Sequence, residues 1–272
     1  MAPRAAHSQE LLDLSEEDPI VLAGEPESLE GELPLRNPGD KRTVLRSARF
    51  RPDLVNERGD VLAGRDHAIR PVVLRPGQAR RVRVTLGIEP HTPPGEYRGE
   101  MEVSGQVRPV LVHVTETILL DVSPTPVVVQ NRPGEVMKKR VVFTNGGNVP
   151  LAINEIGGVP LDDELLECRS LRAALESWED GAGTVEGFLA ESIRQAREAL
   201  RQAGVLRVHN PTPLTLAPGD VRAVELEIRV PDGLDKRTRY LGSAALYTTD
   251  LEFVVVPTRE REASRTSGSK RT

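Results

Sequence analysis

Apolar and polar residues alternate with a period of two over most of this chain, and in two places the alternation follows one shared template. The first copy reads Pro71-Val-Val-Leu-Arg-Pro-Gly-Gln-Ala-Arg-Arg-Val-Arg-Val-Thr-Leu86, the second Pro213-Leu-Thr-Leu-Ala-Pro-Gly-Asp-Val-Arg-Ala-Val-Glu-Leu-Glu-Ile228. Each is a short apolar strand, a Pro-Gly turn and an alternating strand. Around the first copy, strands are expected at Pro19–Leu22 (an edge), Leu29–Asn37, Val44–Phe50, Gly99–Val103 and Gln106–Val114, with a loop from Asp53 to Asp66. Around the second they are expected at Ile118–Val122, Val127–Gln130, Val136–Thr144, Leu151–Ile156, Tyr240–Thr248 and Leu251–Val256.

The copies are related by a constant offset. Gly77 and Gly219 lie 142 residues apart, Tyr97 and Tyr240 lie 143 apart, but the turn residues Asn37 and Asn145 lie only 108 apart. The second copy therefore carries about 34 extra residues, which lack alternation. Instead Leu165, Cys168, Leu171, Ala174, Leu175 and Trp178, then Val185, Phe188, Leu189, Ile193, Ala196, Leu200 and Ala203, recur at helical spacing. Asp162 and Thr184 are expected N-caps and Gly204 a C-terminal stop, giving a helical hairpin inserted at 161–204.

The fold class predicted is all-β: two immunoglobulin-like β-sandwiches in tandem, the second with the inserted helical hairpin. The expected organisation is a flexible arm at 1–17, a first sandwich at 18–115, a second at 116–257 and a disordered polar tail at 258–272. Only Thr115-Glu-Thr117 separates the two, a joint expected to be semi-rigid.

Composition narrows the function classes. A net charge of -5 and only 3% aromatic residues fit neither a nucleic-acid binder nor a protein that stacks bases or sugars. The single cysteine, Cys168, allows no intrachain disulfide. The N-terminal residues hold no apolar core of signal-peptide length, and no stretch has the length of a membrane span, so a cytoplasmic protein is expected, with signal-independent export left open.

The Asn37-Pro-Gly39 and Asn145-Gly-Gly147 turns, the Leu74-Arg-Pro-Gly77 and Leu216-Ala-Pro-Gly219 stretches, and Pro93-Pro-Gly-Glu-Tyr-Arg-Gly99 carry a resemblance. The chain resembles immunoglobulin-like sandwiches of the PapD-like and major-sperm-protein kind and related bacterial modules. The resemblance implies a fold and no activity. Exported pilus chaperones of the PapD type hold a subunit's terminal carboxylate with a cleft Arg and Lys. The sequence places no such pair: Arg108, Lys138 and Lys139 read as solvated strand charges.

No catalytic or metal constellation stands out. His7, His67, His91, His113 and His209 have no ligand spacing, and no Gly-rich phosphate loop or nucleophile elbow is present. Cys168 reads as a small hydrophobe on a helix face, Asp162-Asp-Glu164 as helix N-terminal carboxylates, and Asp232-Gly-Leu-Asp235 as a turn. Arg80, Arg81 and Arg83 read as a solvated sheet face. The expectation is a non-catalytic structural or scaffold protein, without cofactor or metal, whose partners are other proteins in an assembly or further copies of itself, and neither nucleic acid nor membrane. Its partner-binding candidates are Trp178, Phe188, Leu189 and Arg194 of the insert, since interface anchors favour Trp. Two alternatives are a chaperone-like protein holding a partner segment between its sandwiches, and an enzyme with a loop-built site around His67 or His209.

Overall fold

The computed structural model describes residues 19–63, 66–103, 105–178 and 184–258. The arm expected at 1–17 and, past Thr258, the expected tail lie outside the described residues. Strands dominate the remainder. In chain order they are β1 (Ile20–Gly24), β2 (Leu29–Arg36), β3 (Thr43–Asn56), β4 (Val61–Leu62), β5 (Asp66–Leu74), β6 (Ala79–Leu86), β7 (Gly95–Val103), β8 (Gln106–Val114), β9 (Leu120–Ser123), β10 (Val127–Asn131), β11 (Val136–Asn145), β12 (Leu151–Ile153) and β13 (Gly157–Asp163). Helices α1 (Leu166–Ser177) and α2 (Val185–Ala203) follow, then β14 (Val205–His209), β15 (Leu214–Leu216), β16 (Val221–Arg229), β17 (Tyr240–Leu246) and β18 (Thr249–Pro257).

The chain divides into two compact units. Of the described residues, the first takes those up to Leu119 together with Asn145–Leu151 and Ala217–Gly219; the second takes Leu120–Thr144, those between Ala152 and Leu216, and those from Asp220 to Thr258. In the first, the strand order is β4-β3-β7-β8-β1-β2-β6, with β5 also on β3. Its inward side chains, among them Leu22, Leu33, Phe50, Leu74, Tyr97 and Val112, form one apolar core. In the second, the order is β10-β18-β17-β13-β14-β16-β11-β9, and Val129, Phe143, Leu206, Leu226, Ile228 and Phe253 are buried.

The pairing scheme of the first unit recurs in the second. β1 runs parallel to β8, with Ile20 opposite Val110, and β10 runs parallel to β18, with Val127 opposite Phe253. The antiparallel pairs β7 with β8, β3 with β7 and β2 with β6 match β17 with β18, β13 with β17 and β11 with β16. The repeated turns follow suit. Gly77 N–H donates to Asn37 O and Gly219 N–H to Asn145 O, each at 2.9 Å. Both glycines hold positive φ, 65° and 79°, where a Cβ would strain the backbone. Each Asn also caps its own turn through Oδ1, which accepts from Gly39 N–H at 3.1 Å and Gly147 N–H at 3.0 Å.

Several expectations need correction. Pro19–Leu22 is no edge: β1 is paired on both sides, to β2 and β8. The loop expected from Asp53 to Asp66 is about half strand. β3 continues to Asn56 past a shift in register between Arg51 and Val55, because Leu54 is buried, β4 falls within the interval, and β5 begins at its end. Leu151–Ile156 is not one strand: β12 ends at Ile153, and β13 begins at Gly157 with φ 74°. Asp162 is no N-cap, since it lies within β13 opposite Leu241; α1 begins at Leu166. Thr184 does cap α2, its Oγ1 accepting from Gly187 N–H at 3.1 Å, and Gly204 ends that helix with φ 71°.

Candidate interaction surface

β13 and β14 are antiparallel neighbours, and the chain between them makes α1 and α2. Pro160 pairs with Val205 and Leu161 N–H donates to Gly204 O at 3.2 Å, so the helices leave and rejoin the sheet at adjacent backbone positions. α1 and α2 pack on each other, and α2 packs on β13.

A polar cluster fixes α1 to the sheet. The Asp163 carboxylate is buried at the end of β13; Oδ1 accepts from Leu165 N–H and Oδ2 pairs with Arg169 Nη1, each at 2.8 Å. Arg169 Nη2 also donates to Thr238 Oγ1, a buried hydroxyl in the segment before β17. Glu164 pairs with Arg239 through their side chains at 3.0 Å, and Glu164 N–H donates to Arg239 O at 3.0 Å. Asp235 N–H donates to the Tyr240 hydroxyl oxygen at 2.9 Å. Burial pushes the Tyr240 phenol pKa up. Asp163, Arg169, Ser170, Gln195, Asp235 and Tyr240 line a cavity of about 180 Å³ there. Sequence reading missed this cluster, because Asp163 and Arg169 gain their meaning from Thr238 and Tyr240, some seventy positions on.

Both helices also carry apolar side chains open to solvent, among charged ones. On α2, Val185, Leu189 and Ile193 are exposed at 65%, 52% and 52%. On α1, Leu171 and Leu175 are exposed as well. The candidate residues named from sequence do not form one patch. Trp178, 40% exposed, meets half-buried Phe188 edge to face, with ring centroids 6.2 Å apart. Leu189 belongs to the outward stripe. Arg194 lies away from it, held by Glu191 through Nε at 2.8 Å and Nη2 at 2.6 Å. The hydrogen bonds from Arg194 and Gln195 hold the Glu191 carboxyl down at about 2. Val185 and Ile193 were visible in the helical spacing as apolar positions, but spacing alone does not say which apolar stripe a helix buries.

Cys168 is exposed, contrary to the expected hydrophobic role, because the buried side of α1 is the one carrying Ser170 and Ala174. Arg108 is also no solvated charge. It is 4% exposed, because the inward face of β8 that holds Val110, Val112 and Val114 continues back through Arg108 and Gln106. It lines a cavity of about 340 Å³ with Arg81, Glu32 and Pro19. Lys138 is exposed and meets Glu225 at 2.7 Å and Glu227 at 3.4 Å. His209 Nδ1 lies 2.9 Å from Glu155 on open surface, and buried His67 Nδ1 lies 2.9 Å from Gly87 O against the Phe50 ring. Among the described residues no group of three or more His, Cys, Asp or Glu could hold a metal ion, and no helix is long and apolar enough to cross a membrane.

No family model matches the chain, and no curated protein matches its sequence. Among solved structures, it is similar to a protein of unknown function from Porphyromonas gingivalis W83 at 11% identity and TM-score 0.25, covering 88% of this chain and 96% of that one. It is also similar to Dpr11 IG1 bound to DIP-gamma IG+IG2 at 12% identity and TM-score 0.29, covering 92% and 98%. A third match is to the titin domains z1z2 in complex with telethonin at 10% identity and TM-score 0.24, covering 93% and 95%. Likeness at this level assigns neither a family nor a role.

Proposed function

We propose that the chain is two immunoglobulin-like sandwiches in tandem, the second carrying a helical hairpin, and that it serves as a structural or scaffold protein that binds other proteins without catalysis. The fold reading is supported by the recurring pairing scheme and by Tyr97, whose hydroxyl donates back to Pro93 O at 2.7 Å in the manner of the tyrosine corner of such sandwiches. The functional reading is carried by one observation: an apolar stripe of Val185, Leu189 and Ile193 stands exposed on a helix whose neighbour is pinned to the sheet by polar contacts to the buried Asp163 carboxylate. A rigid support with an open apolar face is how a helix presents anchors to a partner. β10, which ends its sheet order among the described residues, offers a second docking mode through its outer backbone edge.

The test is affinity purification of the tagged full chain from its native host, run beside Ile193→Glu and Leu189→Arg, with circular dichroism to verify folding. The expected result is a defined set of co-purifying proteins that both variants lose. A set that survives both substitutions overturns the assignment to the helical face.

A further inference from the structure

The α2 stripe carries information about its occupant. At 3.6 residues per turn, successive residues are about 100° apart around a helix. Val185, Leu189, Ile193 and half-buried Ala196 then fall within about 80° of one another. Glu186 and Arg197, both exposed, fall on one and the same flank of that stripe, about 60–80° from its centre. They stand 11 residues apart, about 16 Å along the axis, with opposite charge at the two ends of the apolar face.

We propose that this face pairs with α2 of a second copy of the same chain, the two helices antiparallel about a twofold axis near residue 191. The symmetry decides between orientations. An antiparallel twofold with its axis across the helices keeps each flank on its own side while exchanging the two ends of the helix. Glu186 then meets Arg197 of the other copy, and Arg197 meets the other Glu186. The same operation sets Leu189 against Ile193 and Val185 against Ala196. These three pairings have midpoints within one residue of each other, so one axis satisfies all of them. A parallel twofold would bring the charged flank against the opposite, uncharged side and leave both charges without a counterpart. The inference deepens the scaffold reading, on which it rests, by naming the partner of the helical face.

The test is a charge swap read by sedimentation equilibrium of the full chain. The wild type is expected to dimerise reversibly. E186R alone and R197E alone each place like charges opposite one another twice, and each should weaken the dimer about tenfold or more. An equimolar mixture of the two variants restores both opposite-charge contacts in a heterodimer and should return the affinity to near wild type, as should the double variant E186R/R197E. Neither residue is buried, so both variants should keep the wild-type circular dichroism spectrum. A monomeric wild type, a dimer indifferent to the single variants, or a mixture no tighter than its components overturns the proposal. The two readings fail separately. A monomeric wild type that still loses its host partners on Ile193→Glu leaves the scaffold reading standing. A charge-swap-sensitive dimer whose host partners ignore Ile193→Glu leaves the self-pairing standing.

Discussion

Tyr97 combines a tight local constraint with a titratable group. Its ring is fully buried, and its hydroxyl closes a bond to Pro93 O. Burial, then the charge of Asp60, pushes the phenol from 10.0 up to about 12. A phenol whose folded value is raised stabilises the fold fully below the unfolded value near 10. That contribution is lost as pH rises through about 12. Tyr97→Phe should therefore cost about 1–2 kcal/mol at neutral pH in urea denaturation, from the lost bond and the unpaired carbonyl. Its stability should also decline less steeply than the wild type's between pH 10 and 12. Asp163 makes a parallel case with a charge. Asp163→Asn removes the carboxylate that Arg169 faces and should cost about 1–3 kcal/mol. Hydrogen exchange should show the loss of protection concentrated in α1, whereas loss spread evenly over the sheet would deny the anchoring role.

At the scale of elements, the repeat makes a prediction that neither copy makes alone. Asn37 and Asn145 are fully buried and do the same work: Oδ1 accepts from the residue two ahead, and Nδ2 donates to the carbonyl four ahead, Lys41 at 2.7 Å and Val149 at 2.8 Å. Asn37→Ala and Asn145→Ala should each lower stability by about 1–3 kcal/mol, read by chemical denaturation; a harmless substitution at one of them would show that the two turns are not equivalent. This level was legible in the sequence, because Asn-Pro-Gly and Pro-Gly turns need particular backbone angles and so leave particular residues behind. Other elements were not. β13 is not among the expected strands, since Gly157, Gly158 and Pro160 are residue types depleted from strand interiors, yet it is central, paired to both β14 and β17. Arg108 was misread because its chemistry was weighed above its register: counting back in twos from Val112 and Val110 puts it inside. For the candidate surface, spacing yielded both helices and their apolar positions. It could not yield the Arg169 anchor, whose buried partners Asp163 and Thr238 come together only in the folded sheet.

For the whole molecule, the pairing of Pro160 with Val205 at the root of the two helices has a further consequence. Two strands that are antiparallel neighbours need no more than a tight turn to join them, so topology does not require what lies between Asp163 and Gly204. Replacing those residues with a short Gly-containing turn should leave the strand signature and a cooperative thermal transition intact, while removing whatever binding the helices provide. Loss of cooperative unfolding would instead make the helices part of the core. Seen this way, the helical segment is a cassette held at a single doorway in the sheet. The scaffold could exchange it for another without relearning how to fold, and a foreign sandwich with the same two neighbouring strands could receive it as a graft.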